Sequence, residues 1–169
     1  MSNVIAEIGL NHGGDINVVK QLIRQSKDSG CWGVKFQYRD IESFYENKFE
    51  VSDVIIYDEI KKNFISIESL LSLAQFCQAL NIKFGISVFR VNDLKKLDVI
   101  VSAIDFFKIP SAECLNNLLL EEILKRNKKV FVSTGAHETD RVISSLEPYK
   151  NKIILLHCIS NYPSLLGTQ

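Results

Sequence analysis

The sequence predicts an α/β fold of repeated βα units on a parallel sheet. Six short β-rich runs are near-continuous in apolar residues rather than alternating, as in strands covered on both faces. Amphipathic helical patterns lie between these runs rather than after them. The runs start at residues 4, 33, 83, 106, 130 and 153, so all but one interval suits a minimal βα unit. No GxGxxG follows the first run, so the dinucleotide-binding form of an open sheet lacks its signature. A closed (βα)8 barrel takes eight units and about 250 residues, and six units occupy these 169 residues. The pattern leaves two alternatives: an open sheet, or a barrel without its last quarter.

The first strand is VIAEIGL from Val4. Asp15 caps a helix with Ile16, Val19, Leu22 and Ile23 on its apolar face, ending before Gly30. The second strand is GVKFQ from Gly33. Residues Tyr38 to Phe64 form the one long interval, and their aromatic and acidic side chains (Phe44, Tyr45, Glu46, Asp53, Tyr57, Asp58) predict an ordered loop over a face. Ser66 or Ser69 starts a helix with Leu70, Leu73, Ala74, Phe76, Cys77 and Leu80 inward, leading to KFGISVF from Lys83. A short helix from Asn92 or Asp93 carries Leu94 and Leu97 and precedes FFKIP from Phe106. Asn116 or Asn117 opens the helix before VFVSTG, which starts at Val130. Thr139 or Asp140 opens the last helix, stopped near Pro148, before IILLHCIS from Ile153.

Composition narrows the function. Lys plus Arg and Asp plus Glu are both 20, so the net charge is zero. That argues against a nucleic-acid binder or a polybasic membrane binder, while leaving a local anion site open. At 46% hydrophobic the chain has the material for a core, which excludes a disordered segment. No apolar run approaches a transmembrane span, and MSNVIAEIGL has no basic region before an apolar one. Cys31, Cys77, Cys114 and Cys158 form no CxxC pair and read as small buried hydrophobes, which fits a reducing cytoplasm.

In βα architectures ligands bind at the C-terminal ends of the strands. Those ends are rich in polar residues here. They carry Glu7 with Asn11 and His12, then Lys35 and Gln37, then Ser87, then Lys108 with Ser111 and Glu113. Ser133, Thr134 and His137 follow on the fifth run, and His157, Ser160 and Tyr162 on the sixth. Lys35 and Lys108 are the sharpest clue. A lysine within such a strand must reach past the strand end, pair with an acid or meet an anion. Two of them on different strands can converge on one phosphate, with Ser111, Ser133 and Thr134 adding donors. Alternatively each pairs internally with Glu7 or Glu113, and spacing leaves both readings open. Glu7 and Glu113 are the candidate acid/base groups. The three histidines have no metal-ligand spacing; His12, in an Asn-His-Gly-Gly turn, is the one expected to line a site, and His157 is expected inside a strand.

These segments resemble the sialic acid (N-acetylneuraminate) synthase family and its relatives for legionaminic and pseudaminic acids. The resemblance runs to about Pro163. It rests on Ile5-Ala6-Glu7-Ile8-Gly9 with Asn11-His12-Gly13-Gly14, on Gly33-Val34-Lys35-Phe36-Gln37, and on Phe107-Lys108-Ile109-Pro110-Ser111-Ala112-Glu113. It continues with Val132-Ser133-Thr134-Gly135 and Leu156-His157-Cys158-Ile159-Ser160-Asn161-Tyr162-Pro163. The resemblance implies a (βα)8 TIM barrel, with about six of eight units in residues 1–169, that condenses phosphoenolpyruvate with an N-acylated mannosamine-type sugar. It implies that Lys35, Lys108, Ser111, Ser133, Ser160 and Tyr162 hold phosphoenolpyruvate. Glu7 would work beside the sugar, Glu113 near the reacting carbons, and Asn11, His12 and Gln37 on the sugar side. It further implies a divalent metal (Mn or Mg), a homo-oligomer and a C-terminal antifreeze-like domain.

Three departures qualify the resemblance. The two metal-binding histidines that relatives carry on their seventh and eighth units have no counterpart in this sequence, so no metal ligand is assigned. Residues 1–169 are likewise expected to lack the antifreeze-like domain. Strand three reads Ser87-Val88-Phe89-Arg90, where relatives have Ser-Thr, which puts a phosphate-holding hydroxyl there in doubt. Without those histidines the chain alone is expected to be inactive, and open edges on strands one and six predict that it aggregates, dimerises or folds poorly. The competing functions are a Schiff-base aldolase using Lys108 and a non-catalytic phosphoenolpyruvate-binding protein.

Overall fold

A computed structural model describes residues 3–41 and 51–159, with the backbone alone over 51–56. Six strands, β1 (Ile5–Gly9), β2 (Gly33–Gln37), β3 (Lys83–Ser87), β4 (Phe106–Ile109), β5 (Lys129–Ser133) and β6 (Ile154–Leu156), form one sheet in the order of the chain. Every pairing is parallel. The helices between them are α1 (Ile16–Asp28), α2 (Val51–Lys62), α3 (Ile67–Ala79), α4 (Val91–Leu97), α5 (Asn117–Leu124) and α6 (Thr139–Leu146). Short 3-10 turns at Asp98–Ala103, Ser111–Glu113 and Glu147–Tyr149 complete the connections. Sequential parallel order curls the sheet into an open half-barrel with its helices outside.

The two faces of the sheet differ in kind. Val34, Phe36, Phe84, Ile86, Val88, Phe107, Ile109, Val130 and Val132 point outward into one core shared with the helices. Against them pack Val19 and Ile23 of α1, Leu70, Leu73 and Cys77 of α3, and Leu119, Leu120 and Ile123 of α5. The inner face is not helix-covered, contrary to the expectation of two covered faces. Its lower half is aromatic: Trp32, Phe106 and Phe131 pack with ring centroids 5.3 to 6.3 Å apart. Its upper half carries Glu7, Lys35, Ser87, Lys108 and Ser133. The alternation hidden under the hydrophobic runs is therefore aromatic-then-polar within, and aliphatic with three phenylalanines without.

Gly85 makes that layering possible. A Cβ on it would lie 2.1 Å from the Phe106 ring, so only glycine lets Phe106 slide beneath the lysine layer. Lys129 lies over Trp32, 4.9 Å from the ring centroid, and closes the floor from below.

Local signals set most helix starts. Asp15 accepts from the Asn17 N–H at 2.7 Å, Ser66 from the Ser69 N–H at 3.2 Å and Asn116 from the Leu119 N–H at 3.1 Å. One start differs from expectation. α4 begins at Val91 after Arg90, and Asp93 sits inside its first turn. There Asp93 accepts from the Asp40 N–H at 2.8 Å, so a long-range bond replaces a local cap. α6 begins at Thr139, as expected, though without a side-chain cap. The expected loop over 38–64 holds α2 instead; its Phe44, Tyr45 and Glu46 lie outside the described residues, as does the side chain of Asp53. β6 is shorter than its apolar run and ends at Leu156, so His157 follows the strand rather than lying in it. Ile154 and Leu155 of that edge strand are 42% and 51% exposed.

Candidate functional site

The polar layer opens at the C-terminal ends of the strands. Glu7 on β1 faces Lys35 on β2, and their side chains form an ion pair. Lys35 is 7% exposed and also donates to the Ser87 hydroxyl on β3 at 2.7 Å. Ser87 stands level with Gln37 on one side and Lys108 on the other. The Lys108 ammonium makes no hydrogen bond or ion pair with another described residue. Four neighbouring strands thus bring two lysines, one carboxylate and one hydroxyl together.

The charge of this layer is unbalanced. Burial lowers the Lys35 pKa, and the Glu7 charge partly offsets that. Burial lowers the Lys108 pKa too, and the positive charge of Lys35 lowers it further, against the opposing influence of Glu7 and Cys158. Two desolvated ammonium groups share one carboxylate, and Glu7 is half exposed at 48%. An incoming anion would relieve both costs at once.

Backbone geometry at the end of β1 makes room for Glu7. The β1–β2 register shifts between Glu7 and Gly9. Gly9 has φ +52°, and a Cβ there would fall 2.9 Å from a Glu7 carboxylate oxygen and 3.5 Å from the Gln37 amide nitrogen. Glu7 and Gln37 therefore border the same small space. Asn11 donates its side-chain N–H to the Glu7 carbonyl at 3.4 Å and lies exposed at the rim. His12 is 3% exposed and committed on both ring nitrogens. Its Nε2–H donates to the Gly9 carbonyl at 3.1 Å, and its Nδ1 accepts from the Gly14 N–H at 3.0 Å. Burial holds it below the usual histidine pKa, so the neutral ring organises the turn beside Glu7.

The remaining candidates sit around the mouth. Ser133 is 3% exposed at the end of β5. The Ser111 hydroxyl accepts from the Gly135 N–H at 3.1 Å and ties the β4 and β5 loops together. Glu113 accepts from the Asn116 side-chain amide at 2.9 Å, at the start of α5, and pairs with neither lysine. His157 is exposed beyond β6. Ser160 and Tyr162 lie outside the described residues. Ser87 was not among the expected ligands. Its signal was its place two residues after Gly85, on the inner side of the strand.

The geometry suits an anion at the open end of a βα barrel, and comparison with known proteins gives it a lineage. A family model described as the NeuB family matches residues 22–168.

The chain belongs to the NeuB family.

Named relatives are synthases of acidic sugars. This NeuB-family chain is 31% identical over 177 residues to the N,N'-diacetyllegionaminic acid synthase of Campylobacter jejuni, covering 95% of the chain and 52% of that protein. It is 31% identical over 173 residues to the N-acetylneuraminate-9-phosphate synthase of Drosophila melanogaster, covering 95% and 46%. Among solved structures it superposes on the sialic acid synthetase of Leptospira borgpetersenii, crystallised with citrate, at a TM-score of 0.82 and 32% identity, covering 96% of the chain and 56% of that one. The chain spans about half the length of the curated relatives it matches. A truncated 3-deoxy-D-arabino-heptulosonate 7-phosphate synthase from Thermotoga maritima shares the fold alone, at a TM-score of 0.64 and 16% identity. The half-barrel is thus six units of the TIM-barrel type.

The described residues do not fit a divalent metal. No group of three or more His, Cys, Asp or Glu side chains among them is arranged to hold one. His12 spends both nitrogens on the backbone. No chemical step below passes through a metal.

Proposed function

We propose that this chain supplies the phosphoenolpyruvate-binding part of a synthase that condenses phosphoenolpyruvate with an N-acylated mannosamine-type sugar. The products are a nonulosonic acid and inorganic phosphate, for surface-glycan biosynthesis. The observation that carries the reading is the pair of desolvated lysines, Lys35 and Lys108, sharing one half-exposed carboxylate at the strand ends of a NeuB-family barrel.

In this reading Lys35 and Lys108 balance the phosphate and carboxylate charge of phosphoenolpyruvate, with hydroxyls from Ser111, Ser133, Ser160 and Tyr162 around them. Glu7, Asn11, His12 and Gln37 lie on the sugar side, and His12 acts by shaping the turn. C3 of the enol attacks the open-chain aldehyde carbon, and the aldehyde oxygen gains a proton. Water adds at C2, and the C–O bond to phosphate breaks. Glu7 and Glu113 are the groups within the barrel end for these proton movements. A carboxylate that has lost Lys35 to the incoming anion is free to accept a proton, which gives Glu7 the first claim.

Calorimetry with phosphoenolpyruvate and no sugar tests this. Saturable binding is expected in the native chain and loss of it in Lys108→Met. Addition of N-acetylmannosamine and Mn should release no phosphate from the 169-residue chain alone. Absence of heat and saturation at millimolar phosphoenolpyruvate overturns the reading.

One observation favours a second reading. Lys108 is desolvated, repelled by Lys35 and without a partner among the described residues, which are the conditions that make a lysine nucleophilic. A Schiff-base aldolase would use it on a carbonyl substrate. Pyruvate with borohydride would then add a reduced adduct to the intact mass, and a mass without it removes this reading.

A further inference from the structure

We infer that a small pocket between the β1 turn and the end of α2 receives the acylamino group of the sugar, with the Asn63 side-chain oxygen accepting its N–H. The inference rests on the synthase reading above and names the part of the sugar that this corner of the barrel recognises. Asn63 follows α2 and is 6% exposed. Its amide nitrogen donates to the Glu59 carbonyl at 2.7 Å and to the Glu59 carboxylate at 3.3 Å. Both partners are acceptors, so the nitrogen is the atom that faces Glu59 and the oxygen points away from it. That oxygen is buried and meets no donor among the described residues. A buried acceptor without a donor is costly, and a ligand that brings one recovers the cost.

The surroundings select the donor. Asn63 lines a cavity of about 10 Å³ together with Gln37 and the apolar side chains of Leu10, Ile60, Phe64 and Ile65. Apolar walls penalise a charged group, whereas a secondary amide brings one N–H for the oxygen and one methyl for the walls. A cavity of this size takes a single small group. Gln37 joins it to the reaction site. It stands level with Ser87, and its amide nitrogen borders the space beside Glu7 at Gly9. From there its carboxamide N–H can meet the acyl carbonyl. The walls are braced from two sides. Gly14 has φ +81°, and a Cβ on it would collide with the Lys62 carbonyl, so the His12 turn packs directly on the end of α2. Tyr38 backs Phe64, with ring centroids 6.2 Å apart.

The test is an NMR titration of the 169-residue chain with sugars in the presence of phosphoenolpyruvate, whose own affinity is measured alongside. The sugars are N-acetylmannosamine, mannose, and N-acetyl-N-methylmannosamine, which keeps the acyl group and lacks the N–H. The native chain should bind N-acetylmannosamine about tenfold more tightly than either of the others, and that sugar should shift the Asn63 side-chain amide signals. Asn63→Leu removes the amide at similar volume, while the Glu59 carbonyl keeps the backbone N–H of residue 63 at 3.1 Å. This variant should melt no lower than the native chain and bind all the sugars equally. If the native chain binds the N-methylated sugar as tightly as N-acetylmannosamine, the oxygen faces water alone and the assignment is wrong. If Asn63→Leu weakens mannose as much as N-acetylmannosamine, its role is structural, and the inference also fails. If phosphoenolpyruvate binds and no sugar does, the pocket is wrong and the phosphoenolpyruvate reading stands. If N-acetylmannosamine is preferred but phosphoenolpyruvate does not bind, that reading falls and the pocket stands; if neither binds, both fall.

Discussion

Glu7 and Lys35 stand directly across the β1–β2 pairing and form an ion pair in which the lysine is buried and the carboxylate is half exposed. This asymmetry decides which partner is dispensable. Lys35→Met leaves a carboxylate that water can solvate, so stability should change by less than about 1 kcal/mol. Glu7→Gln leaves a buried ammonium without its counter-charge. It should cost about 1–2 kcal/mol in urea unfolding, below the 3–5 typical of a fully buried pair because Glu7 was half in water.

Lys108 offers the opposite balance. It is desolvated and has no ion pair among the described residues, so Lys108→Met should stabilise the fold by about 1 kcal/mol. The same substitution should abolish detectable phosphoenolpyruvate binding. Thermal unfolding and calorimetry on one sample check both arms. A stability gain without a binding loss would separate Lys108 from the anion site.

His12 makes stability depend on pH. Its folded pKa lies below the ordinary 6.5, with burial as the main cause and the bond to the Gly9 carbonyl opposing it. The unfolded chain therefore binds the proton more readily. Its stability contribution is complete above the unfolded pKa and is lost as pH falls from there through the folded value. Protonation of Nδ1 also ends its acceptance of the Gly14 N–H. Melting temperature should fall as pH drops below 6.5, before the carboxylates titrate, and His12→Asn should flatten that slope.

Gly85→Ala places a methyl group where the Phe106 ring lies, 2.1 Å from its nearest atoms. Overpacking of this kind costs about 1–3 kcal/mol. Adding Phe106→Leu should recover much of the loss, because the shorter side chain vacates that space. A double variant no more stable than Gly85→Ala would show that the strain lies elsewhere.

The 169-residue chain by itself should self-associate. Ile154 and Leu155 of edge strand β6 are exposed beside a cleft of about 550 Å³ lined by Val142, Ile143, Leu155 and Ile159. Unpaired strand groups next to apolar side chains drive pairing between molecules. Sedimentation at micromolar concentration should show dimers or larger species, and a clean monomer would contradict it.

The order of elements and the strand-end position of Lys35 and Lys108 were legible in the sequence, because strand and helix runs, caps and glycines are local signals. Asp15, Ser66 and Asn116 cap within three residues, so short-range chemistry fixes them. The misread start of α4 shows where that stops. Asp93 is held by Asp40, a bond across 53 positions that no local window contains. The helix α2 was missed because its residues carry little apolar periodicity. Spacing also left two fates open for Lys35, an internal pair or an anion. In the ligand-free fold it makes the pair, through the β1–β2 register.

By itself, then, the sequence determined the βα architecture, the NeuB-type motifs and the set of polar residues at the strand ends. Only the tertiary structure decided how those residues divide their bonds. His12 went to the backbone, Glu113 to the start of α5, Lys35 to Glu7 and Ser87, and Lys108 to no described partner. The reason is physical: a hydrogen bond or ion pair is a matter of a few ångströms in space. Strand register, the curl of the sheet and the room made by Gly85 and Gly9 set those distances.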